Sequence, residues 1–135
     1  MNERLIFFIK EFCVLQVRLS KELMKEFDQF SDWELLLGFP KNGRLKLTDG
    51  EWLFRKHGTG VEFTNKKNSK VVDICNNITQ PNLFDSWRMG TYLESIGEPE
   101  VDNLEEELAT LNRAGIIEKH NGTVKTYKLS FNVCS

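Results

Sequence analysis

Apolar residues recur at three- and four-residue spacing through the first quarter of the chain. Leu5, Ile9, Phe12, Leu19, Leu23, Met24 and Phe27 share one face, and Lys21, Glu22, Lys25 and Glu26 lie opposite. A period near that of an α-helix predicts one long amphipathic helix over residues 4–30. Its first half also carries Phe7, Phe8, Val14 and Leu15 on other faces, so that half needs cover from a sheet or from a second subunit. Ser31-Asp32-Trp33-Glu34 has the form of a capping box and predicts a short helix that Gly38-Phe39-Pro40 stops.

The pattern then changes. Residues 44–47, 52–57, 61–63 and 70–74 are strand-like runs. Between them stand Thr48-Asp49-Gly50, Gly58-Thr59-Gly60 and a polar stretch over 64–69, with Asn42-Gly43 ahead of the first. Turns this short predict an antiparallel meander. Residues 82–96 read as a helix ended by Gly97 and Pro99; Asp102 is the expected cap of a further helix to Ala114, closed by Gly115. Residues 116–119 and 124–131 form a last hairpin across His120-Asn121-Gly122. The class is α+β: a meander packed on a long N-terminal helix, with two further helices and a C-terminal hairpin. Trp52, Phe54, Val61, Phe63, Val72 and Trp87 are the expected core against the first helix, and Trp33 is read as packing too.

Composition narrows the picture. A chain of 135 residues that is 40% hydrophobic can bury one sizeable core, so residues 1–135 are expected to form a single domain. The apolar cluster from Leu5 to Ile9 is too short for a signal-peptide core or a membrane span, which places the protein in the cytoplasm, away from membranes. Cys13, Cys75 and Cys134 are odd in number and far apart, so they suggest free, partly buried thiols rather than disulfides or a thiolate zinc site. Charge is polarised along the chain. Residues 41–72 carry eight basic and three acidic side chains, whereas residues 73–118 carry ten acidic and two basic.

The acidic part is densest at Glu94, Glu98, Glu100, Asp102, Glu105, Glu106 and Glu107, with no basic residue between them. Such a run excludes a nucleic-acid surface there and suits a cationic partner. Its plainer reading is a solvated helix start whose carboxylates favour the helix dipole. The segment from Leu104 through Gly115 to Tyr127 resembles the helix and wing of winged-helix DNA-binding domains, but Glu105, Glu106 and Glu107 would repel phosphates.

A second constellation surrounds His57. An imidazole oriented by Asp73 or Asp85 could act as a general base, although a histidine beside a tight Gly-x-Gly turn more commonly satisfies backbone groups. Gly58 and Gly60 permit positive φ in the turn, and a strand follows them where a phosphate cradle would need a helix N-terminus. Trp87 is expected in the core and Arg88 is expected to pair with Asp85 or with a sheet carboxylate. No His, Cys or carboxylate set has metal-ligand spacing, so no metal and no cofactor are expected.

The order of a long helix, a Gly43-x-Leu45 strand and the hairpin Glu51-Trp52-x-Phe54-x-x-His57-Gly58-x-Gly60-Val61-x-Phe63 is distinctive. With the Val71-Val72-Asp73 strand, the Phe84-Asp85-x-Trp87-Arg88 helix and the hairpin from Gly115 to Lys119, it resembles a family of small, uncharacterised bacterial domains. The resemblance spans nearly the whole chain and implies the fold without an activity. His57, Gly58, Gly60, Asp73, Asp85, Trp87 and Arg88 remain a motif of unknown role. In size, class and charge the chain also looks like immunity proteins of bacterial toxin systems. The expected function is a non-enzymatic protein-binding inhibitor that neutralises a basic toxin domain. Its partner surface is the run from Glu94 to Glu107, and no residue is catalytic. A small hydrolase using His57 with Asp73 and Asp85, or a regulatory adaptor, is the alternative, and oligomeric state stays open.

Overall fold

Helix α1 (Glu3–Glu26) begins where Asn2 supplies a cap, its Oδ1 accepting from the Leu5 amide at 3.0 Å. Glu3 in the first turn and Lys25 in the last complement the helix dipole. Leu5, Ile9, Phe12, Cys13, Gln16, Leu19, Ser20 and Leu23 form the buried stripe, at the spacing that α-helical geometry requires of one face. The computed structural model describes residues 2–26, 41–57, 60–74, 82–120 and 125–131, with the His57 side chain excepted. The expected capping-box helix, Trp33, Gly58, Cys75, Cys134 and the Asn121-Gly122 turn lie outside the described residues.

Strands β1 (Asn42–Leu47), β2 (Gly50–His57), β3 (Gly60–Asn65) and β4 (Val71–Ile74) form an antiparallel meander in chain order. Its register sets Leu45 opposite Trp52, Phe54 opposite Phe63, Phe63 opposite Val72 and Val61 opposite Ile74. These residues alternate onto one face and are buried, because successive side chains of a strand point to opposite sides. On the other face Arg55 meets Glu62 at 3.3 Å, and Glu51 lies within 4 Å of both Arg44 and Lys66. Gly43, paired with Phe54, is sterically required: a Cβ there would lie 2.5 Å from the Phe54 ring. The turn after β3 is built by Asn65, whose buried Oδ1 accepts from the amides of Lys67 at 2.8 Å and Asn68 at 3.0 Å.

Helices α2 (Ser86–Ser95) and α3 (Leu104–Arg113) follow, then a two-stranded ladder of β5 (Ile117–Lys119) and β6 (Tyr127–Leu129). One hydrophobic cluster links α1, the meander, α2, α3 and this hairpin, from Leu5 through Trp52, Tyr92 and Leu111 to Leu129. The architecture is α+β. No helix among the described residues is long and apolar enough to cross a membrane. Cover over the first half of α1 is uneven: Leu15 is buried, Phe8 and Val14 are half-buried, and Phe7 is exposed.

Three expectations need correction. Helix α2 starts at Ser86 rather than at position 82, because Phe84 is extended and bridges Tyr127 through two backbone hydrogen bonds of 2.9 and 2.7 Å. The cap of α3 is Asn103, not Asp102: Asn103 adopts the left-handed conformation at φ 52°, which asparagine tolerates better than most residues. Trp87 is not in the core but 53% exposed. Met89, Tyr92 and Leu93 instead form the inward face of α2, and Trp87 falls on the outward side.

Candidate functional site

Strand β4 is an edge of the meander, and its unpaired backbone groups need partners if other elements cover them. Two side chains provide them. The Val71 amide donates to Ser95 Oγ of α2 at 2.9 Å, and Gln16 Nε2 of α1 donates to the carbonyls of Asp73 at 3.0 Å and Leu83 at 2.9 Å. Helix α2 is thereby held along the edge with its N-terminus beside Asp73. There Asp85 caps the helix, Oδ1 accepting from the Arg88 amide at 2.8 Å. The Arg88 guanidinium then binds two carboxylates at once, Asp73 Oδ1 at 2.7 Å through Nε and Asp85 Oδ2 at 2.6 Å through Nη1. Asp73 is only 2% exposed, and a carboxylate buried to that degree needs polar partners, of which Arg88 is one.

The structure therefore joins Asp73, Asp85 and Arg88, and Arg88 takes both of the partners that the sequence suggested. A guanidinium cannot shuttle protons at neutral pH, and its fork suits a clamp between strand edge and helix start. The backbone of His57 pairs with Gly60 at the end of β2, while its imidazole lies outside the described residues. Cys13 is a free, buried thiol; burial pushes its pKa up to about 12, which keeps it protonated and unreactive. Burial, aided by its hydrogen bond to Glu11, also raises the pKa of the Tyr92 hydroxyl. Among the described residues no group of three or more His, Cys, Asp or Glu residues could hold a metal ion.

The more open feature lies on the solvent side of α2. Trp87, Gly90, Thr91 and Glu94 share that side at helical spacing and form one wall of a cleft of about 600 Å³. Leu93, Val101 and Leu104 give it apolar lining, and Glu98, Pro99 and Glu100 close it from the segment between α2 and α3. The Arg88 guanidinium carbon stands 5.2 Å from the centre of the Trp87 ring. Its charge is balanced by the two aspartates behind it.

The acidic run is divided by the fold. Glu98 is structural: Arg4 of α1 donates to both its oxygens, at 2.9 and 2.6 Å, and ties the cleft segment to the first helix. Glu105, Glu106 and Glu107 occupy the first turn of α3, where they complement the helix dipole. Glu105 also lies 3.6 Å from Lys125, and Glu106 lies 3.1 Å from Arg113. Glu94, Glu100 and Asp102 are exposed and make no ion pair among the described residues. Seven carboxylates within residues 94–107 thus fall into pinned, dipole-paired and uncommitted groups.

Three contributors were not singled out by sequence reasoning: Gln16, Arg4 and Gly90. Gln16 had a signal, being polar within an otherwise apolar helical stripe. Arg4 had none, since its partner is 94 residues away. Comparison with curated proteins and with solved structures found no match. The family model of a domain of unknown function, DUF6896, matches residues 5–131 of the 135, and the chain belongs to that family.

Proposed function

We propose that this protein is a non-enzymatic, immunity-type inhibitor that binds and neutralises a basic toxin domain through the α2–α3 face. The observation that carries the reading is the cleft itself: an exposed tryptophan and apolar lining beside Glu94 and Glu100, which make no ion pair among the described residues. Tryptophan is enriched among protein-binding hot spots, and the rim of such interfaces is polar. The uncommitted carboxylates Glu94, Glu100 and Asp102 would steer a cationic partner and raise association rate and specificity more than affinity. The occupied state of Asp73 and Asp85 favours binding over the hydrolase alternative.

The test is to purify the partner from the source cell by affinity capture and to follow association by stopped flow at several salt concentrations. The variant Glu94→Lys/Glu100→Lys/Asp102→Lys is expected to slow association at least roughly tenfold at low ionic strength while leaving the melting temperature nearly unchanged, because exposed charges steer encounter and add little to folding. An acidic partner, or an unchanged rate, would overturn the proposal.

A further inference from the structure

Gly90 lies in the middle of α2 without a positive φ, so its backbone does not need glycine. Packing does not need it either: a Cβ there would stand 3.6 Å from Leu104 Cδ2, an ordinary contact. Glycine in a helix interior is less stable than alanine, because the unfolded chain has more freedom to lose. A residue that weakens the helix without a structural demand leaves room, and the room here is the cleft wall between Trp87 and Glu94. Trp87 and Glu94 flank the gap at helical spacing, Glu100 also lines the cleft, and neither carboxylate makes an ion pair among the described residues. Arg88 already lies by the indole, but its charge is cancelled by Asp73 and Asp85, so it does not repel an incoming cation.

We propose that the Gly90 gap is a slot for one arginine side chain of the protein partner, its guanidinium stacked on Trp87 and its charge met by Glu94 and Glu100. The proposal rests on the inhibitor reading above and names the group that the surface recognises. Tryptophan is the strongest aromatic partner for a cation, and a guanidinium can stack and donate in its plane at the same time. The cleft is too acidic to favour an anionic ligand, and no Lys or Arg is among its described lining residues to meet a phosphate.

The probe is the blocked tripeptide acetyl-Gly-Arg-Gly-amide, titrated into ¹⁵N-labelled protein. Its citrulline isostere, which keeps the shape and loses the charge, is the control. The expected result is saturable shifts of the Gly90 amide and the Trp87 indole N–H, with affinity at least roughly tenfold weaker for citrulline. Gly90→Met should remove the arginine response with the rest of the spectrum retained, and Glu94→Gln/Glu100→Gln should weaken it. Gly90→Ala should raise the urea midpoint; a lower midpoint would make the glycine structural and overturn the argument. Equal binding of arginine and citrulline peptides, or none of either, would also overturn it. If the arginine peptide is silent while the lysine triple variant still slows the partner, the slot falls and the inhibitor reading stands. If the peptide binds and that variant associates normally, the slot stands and the inhibitor reading falls.

Discussion

Replacing Arg88 with methionine tests whether the clamp at the β4 edge holds the fold together. Methionine keeps the aliphatic stem and the helical propensity and removes only the guanidinium. The Asp85 cap survives, since it uses the backbone amide that any residue except proline supplies. Asp85 is also partly solvated, with a quarter of its side chain exposed, so losing Arg88 harms it little. The loss therefore concentrates on Asp73, whose side chain is 2% exposed and whose 2.7 Å contact to Nε disappears. Removing one partner of a buried pair typically costs about 3–5 kcal/mol, most of it the penalty of the charge left behind. Arg88 is 15% exposed, so water can reach the vacated space and the lower end, about 3 kcal/mol, is expected. Asp73→Asn removes the charge that Arg88 binds, so the double variant Arg88→Met/Asp73→Asn should lose less than the two singles together, with a coupling of about 0.5–3 kcal/mol. Urea unfolding followed by tryptophan fluorescence reads all four proteins. A loss below about 1 kcal/mol in Arg88→Met, or strict additivity in the double variant, would show that Asp73 does not depend on this partner.

Trp87→Ala should cost under about 1 kcal/mol, mainly its contact with Arg88, because the ring is half-exposed; a thermal melt decides, and a loss of about 3 kcal/mol or more would mean that the ring is a core residue. Gly43→Ala should lose about 1–3 kcal/mol in the same melt, since its Cβ would have to displace the buried Phe54 ring. Alkaline stability should report Cys13. Its thiol pKa is raised from 9.0 to about 12 by burial, so the stabilisation is complete below pH 9 and is lost as pH rises towards 12. The slope approaches about 1.4 kcal/mol per pH unit in that window, because the unfolded chain gives up a proton that the folded one retains. Tyr92, also raised, adds the same sign above pH 10. Urea titrations from pH 8 to 11 should show the fall reduced in Cys13→Ala; an identical slope in that variant would refute the assignment.

Periodicity and turn length determined the first helix as far as Glu26, the four-strand meander and its antiparallel sense, because a burial stripe and short turns are local properties of the chain. Glycine itself marked the closure of α3 at Gly115, where the structure has φ 79°. The pairing of Arg88 was legible for a similar reason: Asp85 is three residues away on the same helix, and Asp73 is the only carboxylate on β4. The tertiary structure decided what local pattern could not. Phe84 has a helix-compatible sequence but is claimed by Tyr127, 43 residues later, which delays the start of α2 to Ser86. Packing of Met89, Tyr92 and Leu93 against the core leaves Trp87 towards solvent, since the buried side of a helix is set by what lies against it and not by the size of the residue. The same long-range packing sorts the acidic run. Arg4 pins Glu98 and the α3 dipole engages the triplet from Glu105, while Glu94 and Glu100 are left lining the cleft together with Gly90. Proximity of this kind depends on elements meeting across the fold, and a charge pattern read along the chain carries no record of it.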